Sequence, residues 1–433
     1  MTKMILIALC LATSCFFLNS CSNSNDEGGD TRVTPAKVFT IDTSIKYQTI
    51  TGFGGANRMW TSENLSTSEV QNIFGTADTE LGLTIFRERI PPVQADWTIM
   101  LPTLKAVQAK GIKILASPWS PPANLKSNND LVGGHLLPEN YEAYKNHLND
   151  YISFMANNGV TIYAISIQNE PDIQVSYESC DWTATQMADY IKAYGSQINA
   201  KIVAPESFKF DQSYVNALFN DTEVINNLDI VGGHIYGSGL DFISKAEQND
   251  KEIWMTEYLL NLNTGNAGAP AWSLYGEDII WNETLTMLET IHKAMDFNWN
   301  AYIWWYIKRY YSFIGDGTQG TESGKILKRG YAFSHFSKYV RPGYVRVQVN
   351  NEDNVDLKVT AYESNTEIVI EILNTSSLNT DKVQFKVPSM SSAMAYQSTL
   401  EKNREPIALT TNTDNVQFSF VPKKSITTVI VKK

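Results

Sequence analysis

Residues 141–167 read YEAYKNHLNDYISFMANNGVTIYAISI. Tyr141, Tyr144, Leu148, Tyr151, Ile152 and Met155 recur at intervals of three and four, the period of one helix face. Gly159 stands where that helix is expected to stop, because glycine takes the left-handed backbone of a helix end at no steric cost. The apolar run 162–167 that follows has strand length. Working outward, similar runs occupy 50–53, 83–87, 112–116, 201–204, 228–232, 252–256 and 301–305. Helix-period stretches lie between them, clearest at 182–198 and at Leu285, Leu288, Ile291, His292 and Met295. Strand then helix, eight times over, predicts an α/β fold, a (β/α)8 barrel over 49–341. Spacing alone leaves a doubly wound open sheet as the alternative.

Past residue 341 the pattern changes. Short β patterns at 367–373, 382–387, 416–421 and 426–431 are separated by turn-rich segments. They predict a small antiparallel β-sandwich over 342–433. Residues 37–41 also read as a strand, so 36–48 are expected to join that side domain.

The chain has 433 residues, 43% of them apolar and 19% charged, which excludes disorder and collagen-like repeats. A net charge of −11 repels phosphate backbones and excludes nucleic acid as an expected partner. Ten Trp, 21 Tyr and 18 Phe suit core packing and a sugar-stacking cleft equally well. At the N-terminus, Lys3 precedes an apolar run over 4–18, and Leu18-Asn19-Ser20-Cys21 resembles a bacterial lipobox. That implies a signal peptide over 1–20, a lipid on Cys21 and a polar tether over 21–35; Cys15 is a weaker second candidate, and an ordinary secretory signal is the alternative. Asp26 and Glu27 resemble an acidic export signal. The expectation is a lipoprotein at the cell surface or in the periplasm of a Gram-negative bacterium, touching the membrane only through its anchor, monomeric by default. Cys180 is the one cysteine of the body, so no internal disulfide framework is expected.

In such a barrel the chemistry sits at the C-terminal ends of the strands. Two carboxylates stand there, Glu170 after the fourth strand and Glu257 after the seventh. Asn169, Trp119, Tyr236 and Trp304 stand at neighbouring strand ends. Paired carboxylates beside aromatic rings suit glycoside hydrolysis, one protonating the leaving oxygen and the other attacking the anomeric carbon. Glu206 is a third candidate, on a strand expected to be shorter. His234, at a strand end, is expected to line the site, whereas His147 and His292 fall within helices. The five histidines show no metal-ligand spacing, and no metal or cofactor is expected. Gly52-Phe-Gly54-Gly55 lacks the third glycine of a dinucleotide fingerprint, and Gly320-Thr-Glu-Ser-Gly324-Lys325 is one residue short of a phosphate-binding loop.

Several stretches carry a resemblance. They are Thr51-Gly-Phe-Gly-Gly55, Ala116-Ser-Pro-Trp-Ser-Pro-Pro122, Ala164-Ile-Ser-Ile-Gln-Asn-Glu-Pro171, Gly233-His-Ile-Tyr-Gly237, Trp254-Met-Thr-Glu257, Trp304-Trp-Tyr-Ile-Lys-Arg309, Lys328-Arg-Gly-Tyr331 and Phe336-Ser-Lys-Tyr-Val-Arg-Pro-Gly-Tyr-Val345. From about residue 37 onward the chain resembles glycoside hydrolase family 30, and most of all its bacterial glucuronoxylanase branch. The resemblance implies a retaining barrel enzyme with a side β-sandwich that the N-terminal strand joins. It implies Glu170 as acid/base, Glu257 as nucleophile, Arg87 and Tyr236 as supports of the nucleophile, and Asn169 on the sugar 2-hydroxyl. Trp119 and one of Trp304 and Trp305 would stack on sugar rings. Trp305, Arg309 and Tyr311 match the positions that hold the glucuronate side group of xylan in that branch, a role that suits a guanidinium fork. Three departures stand against strict glucuronate dependence: the leucines of Tyr258-Leu-Leu-Asn-Leu-Asn263, the enlarged loop 315–324, and Ala-Asn-Leu-Lys after Pro122. The sequence leaves open another β-glycan substrate, such as a β-1,6-glucan or a β-glucoside, and a non-catalytic glycan-binding lipoprotein on the same barrel.

Overall fold

The computed structural model describes residues 36–262 and 268–433; the signal peptide, the tether and Cys21 lie outside the described residues. Its strands, in chain order, begin with β1 (Lys37–Thr49), β2 (Gly52–Ala56), β3 (Ile85–Ile90), β4 (Lys113–Pro118), β5 (Ala164–Ser166), β6 (Lys201–Ser207), β7 (Ile230–His234), β8 (Glu252–Glu257) and β9 (Ala301–Trp304). Strands β2 to β9 pair in parallel and in chain order, and β9 returns to β2 with Ala301 opposite Gly52, so the sheet closes. This is the (β/α)8 barrel, and the open-sheet alternative falls away. Ile85, Leu115, Ala164, Val203, Ile230, Trp254, Ala301 and Ile303 form one buried cluster contributed by these strands. A larger apolar layer joins the strands to the surrounding helices, among them Tyr141–Asn157 and Glu277–Asp296. The period read at residues 141–155 holds here: Tyr144, Leu148, Tyr151, Ile152 and Met155 are the buried residues of the first of these helices. Strand β2, Gly-Phe-Gly-Gly-Ala, is poor in side chains for a packing reason. A Cβ on Gly54 would stand 2.2 Å from the carbonyl oxygen of Ile85.

The remaining strands are β10 (Val345–Asn351), β11 (Lys358–Glu363), β12 (Glu367–Asn374), β13 (Thr380–Lys386), β14 (Ser392–Ser398), β15 (Glu405–Ile407), β16 (Thr410–Asn412), β17 (Asn415–Val421) and β18 (Ser425–Lys432). With β1 they make one ten-stranded sheet around a core of its own that includes Phe39, Ile41, Val347, Ile370, Phe385, Val416 and Val429. The expected side sandwich is therefore present, with one difference: β1 runs antiparallel to β10 but parallel to β13, so the sheet is mixed. A buried histidine joins the two parts. His335, on helix Lys328–Tyr339, meets Thr428 Oγ1 at 2.6 Å and Ser398 Oγ at 2.8 Å through its two ring nitrogens.

Candidate active site

The strand ends bring their polar residues to one mouth. After β5 the chain is pinned: Tyr144 donates to Ile167 O at 2.7 Å, and Gln168 Nε2 donates to Trp119 O at 2.7 Å. Glu170 follows with φ +48°, and its N–H donates to Glu206 O at 3.0 Å. Glu206 has φ +54°. A left-handed backbone costs a non-glycine residue roughly 1–3 kcal/mol, and persists where its surroundings over-determine it.

Both glutamates of interest are buried and fully engaged. Glu170 meets His234 Nδ1 through Oε1 at 3.0 Å and accepts from the Tyr177 hydroxyl through Oε2 at 3.0 Å. Glu257 accepts from Arg87 Nη1 through Oε2 at 2.6 Å and from the Tyr236 hydroxyl through Oε1 at 2.9 Å. One carboxylate oxygen of each glutamate and a ring nitrogen of His234 lie within 4.8 Å of one another. Arg87 is the hub below them. It donates to Asn169 Oδ1 at 2.7 Å and to Ser117 Oγ at 3.3 Å, pairs with Glu206 at 3.2 Å, and lies 4.8 Å over the Trp119 ring.

Two cations, Arg87 and His234, face three carboxylates here. Burial alone would lower His234, but the carboxylates of Glu257, Glu170 and Glu206 raise it to about 9, so it is cationic at neutral pH. Burial alone would raise Glu206, but Arg87 and His234 hold it down to about 2. Burial raises Glu257, and His234 and Arg87 pull against that. Glu170, His234 and Glu257 are close enough to ligate a metal, yet Arg87 and the protonated His234 already supply two positive charges there, which disfavours a third.

A cavity of about 840 Å³ opens over this centre. Trp60, Trp119, Tyr177, Phe208, Tyr236 and Trp305 give it aromatic walls, and Leu259, Leu260, Asn261 and Glu283 line the side beyond β8. Of the two tryptophans at the end of β9, Trp305 faces the cavity. Trp304 is fully buried between Tyr258, Phe313 and the guanidinium of Arg329, so it cannot stack on a sugar. Arg309 and Tyr311 stand outside the wall. Arg309 pairs with Asp316, and the largely buried Tyr311 packs against Tyr310.

The structure therefore gathers Arg87, Trp119, Asn169, Glu170, His234, Tyr236, Glu257 and Trp305, with Tyr311 behind them in electrostatic reach of Glu257 and Tyr236, and leaves Trp304 and Arg309 outside. It corrects the reading of Glu206 in one respect: β6 runs through Ser207 and is not short. Glu206 is nonetheless enclosed against Arg87 and His234 and does not reach the cavity. Tyr177 and Trp60 were not singled out from sequence. Both sit in loops after strand ends; Trp60 follows the end of β2 by four residues, which was an available signal, whereas Tyr177 lies eleven past the end of β5 and had none.

Three comparisons bear on this site. A family model described as the glycosyl hydrolase family 30 TIM-barrel domain matches residues 75–203. The glucuronoxylanase XynC of Bacillus subtilis strain 168 is 33% identical over 416 residues, 94% of either chain. Among solved structures, the glycoside hydrolase family 30 subfamily 8 xylanase Xyn30A of Clostridium acetobutylicum superposes with a TM-score of 0.81 at 30% identity, covering 92% of this chain and all of the other. A family 30 endoxylanase from Clostridium papyrosolvens C71 superposes with a TM-score of 0.78 at 29% identity, covering 91% of this chain and all of the other.

Proposed function

The chain belongs to glycosyl hydrolase family 30, and from that premise we propose that it is an endo-acting β-1,4-xylanase, working on xylans of the glucuronoxylan type with retention of anomeric configuration. It is a glycoside hydrolase, which sets aside the reading as a non-catalytic glycan-binding protein. The xylan assignment is supported by what the relatives at 29–33% identity are called, and by a cavity walled with flat rings.

The observation that carries the mechanism is that Glu170 and Glu257 face each other across one centre, an oxygen of one within 4.8 Å of an oxygen of the other, a close pair of the kind double displacement needs. Retaining hydrolases hold the pair about 5–5.5 Å apart, whereas inverting ones leave about 6.5–9.5 Å for a water. In the proposed first step Glu257 attacks the anomeric carbon while the carboxyl of Glu170 protonates the departing glycosidic oxygen. The bond from carbon to that oxygen breaks, and the sugar is left esterified to Glu257. Water then takes the vacated place, Glu170 removes its proton, and attack on the same carbon frees Glu257. Arg87 and Tyr236 both donate to Glu257, which favours its ionised form. Cys21 enters the same proposal as a lipid attachment site that tethers the enzyme at the cell surface or in the periplasm.

Mass spectrometry of products from 4-O-methylglucuronoxylan and from linear xylan tests the substrate. Xylo-oligosaccharide series from either polymer support the proposal. Cleavage of neither, with turnover of a β-glucan, replaces it.

A further inference from the structure

One acid on the cavity wall takes no part in the mechanism. Glu283, on helix Glu277–Asp296, lines the side beyond β8 together with Leu259, Leu260 and Asn261. Its place is fixed from behind. Arg329, buried on helix Lys328–Tyr339, donates through Nη2 to Glu283 Oε2. The same guanidinium donates through Nη1 to Leu260 O at 2.9 Å and to Tyr311 O at 2.5 Å, and through Nε to Thr284 Oγ1 at 3.3 Å. It also lies 5.6 Å from the Trp304 ring centre and 5.7 Å from that of Trp272. One clamp thus holds Glu283 beside Leu260, three residues past the proposed nucleophile.

Arg329 claims only half of this carboxylate. Among the described residues none donates to Glu283 Oε1, and no Lys or Arg lines the cavity to claim it. The side chain is 9% exposed, so it presents one held oxygen rather than a solvated acid. Its neighbours on the wall do not compete for it. Leu259 and Leu260 pack onto the barrel core, and Asn261 Nδ2 donates to the Tyr310 hydroxyl at 3.0 Å. A carboxylate oxygen accepts and does not donate, and a sugar hydroxyl is a ready donor. A charge-assisted hydrogen bond to a carboxylate already held in place is a strong one.

We propose that Glu283 is a substrate-binding residue: its Oε1 accepts from a free hydroxyl of the sugar chain on the glycone side, beyond the unit that Glu257 attacks. That unit lies over the end of β8, and a chain continuing along the wall of Leu259 and Leu260 carries its next units to Glu283. A substituent on the hydroxyl in question removes the donor, so the site selects a chain that is unsubstituted at that point. The proposal rests on the xylanase reading above.

The test compares an aryl β-xyloside, β-xylobioside and β-xylotrioside with one leaving group, in wild type and in Glu283→Gln. Arg329 offers only N–H groups, so the amide of Glu283→Gln gives its oxygen to Arg329 and turns its NH2 to the cavity, and an acceptor becomes a donor. In the wild type KM is expected to fall as the glycone lengthens. In Glu283→Gln the loss of kcat/KM is expected to be at least about fivefold greater for the xylotrioside than for the xyloside, carried by KM. Glu283→Asp, which keeps the charge beside Arg329 but withdraws the oxygen, is expected to act in the same direction and carries the test should Glu283→Gln not fold. A loss by the same factor at every glycone length is what a merely structural pair gives, and it overturns the proposal. A wild-type KM independent of glycone length overturns it as well. Should the wild type cut aryl β-glucosides and none of the xylosides, the xylanase reading fails, and the same length comparison in the glucoside series decides for or against Glu283 by itself.

Discussion

Glu170 reaches the cavity with both carboxylate oxygens engaged, one by His234 and one by Tyr177. Tyr177 thus positions the group proposed to move the proton, and removing its hydroxyl leaves the ring and its contact with Trp60 in place. A hydrogen bond to a charged group contributes about 1.5–3 kcal/mol, so Tyr177→Phe is expected to lower kcat on an aryl β-xylobioside by roughly ten- to a hundredfold with KM little changed. Steady-state kinetics decide this, and a change in KM alone would assign Tyr177 to substrate contact instead. His234 gives a prediction in pH. Its folded value of about 9 stands above the usual 6.5, so its contribution to stability is complete below pH 6.5 and is lost as pH rises through 9. The difference in unfolding free energy between wild type and His234→Gln should therefore shrink, by on the order of 3 kcal/mol, between pH 6.5 and pH 9.5 in urea titrations. A difference independent of pH would mean that His234 is neutral in the folded protein. Neither tie was legible in sequence. Tyr177 lies in a loop without period, and the carboxylates that raise His234 come from three other strand ends.

At the scale of elements, the end of β9 places two adjacent tryptophans in opposite settings, as alternation along a strand requires. Trp305 meets the cavity, whereas Trp304 packs behind it beside Arg329. Trp305→Ala is expected to raise KM for xylo-oligosaccharides about five- to tenfold, since ring stacking is lost. Trp304→Ala is expected to cost about 3–5 kcal/mol of stability, read as a lowered urea midpoint, because it empties a core site. Sequence narrowed the stacking residue to these two and could not choose, because the choice depends on which face of the strand end turns inward. The barrel strands themselves were legible because each is an apolar run buried on both faces. Their ends were less so, and β2 begins two residues later than the apolar run suggests. In the side sheet, 345–351 carries the strand alternation in Val345, Val347 and Val349 and was passed over, whereas 392–398, Ser-Ala-Met-Ala-Tyr-Gln-Ser, offers no clean period. The polar position Arg346 is itself buried, with its guanidinium 3.9 Å over the Tyr47 ring.

For the whole molecule, closure of the barrel is what turns distant glutamates into a pair. Glu170 follows β5, Glu257 ends β8, and Arg87, on β3, reaches both Glu257 and the Asn169 beside Glu170. The sequence supplied both carboxylates and their supports but not Glu206 as part of the foundation, since a buried acid looks like any other until Arg87 and His234 are seen against it. Stereochemistry reads the assembled geometry directly. Proton nuclear magnetic resonance during the first minutes of hydrolysis follows the anomeric signal of the newly formed reducing end. The proposed double displacement predicts that the β anomer forms first and the α anomer grows in later by mutarotation. An α anomer at the outset would show inversion and contradict the assignment of Glu257 as nucleophile.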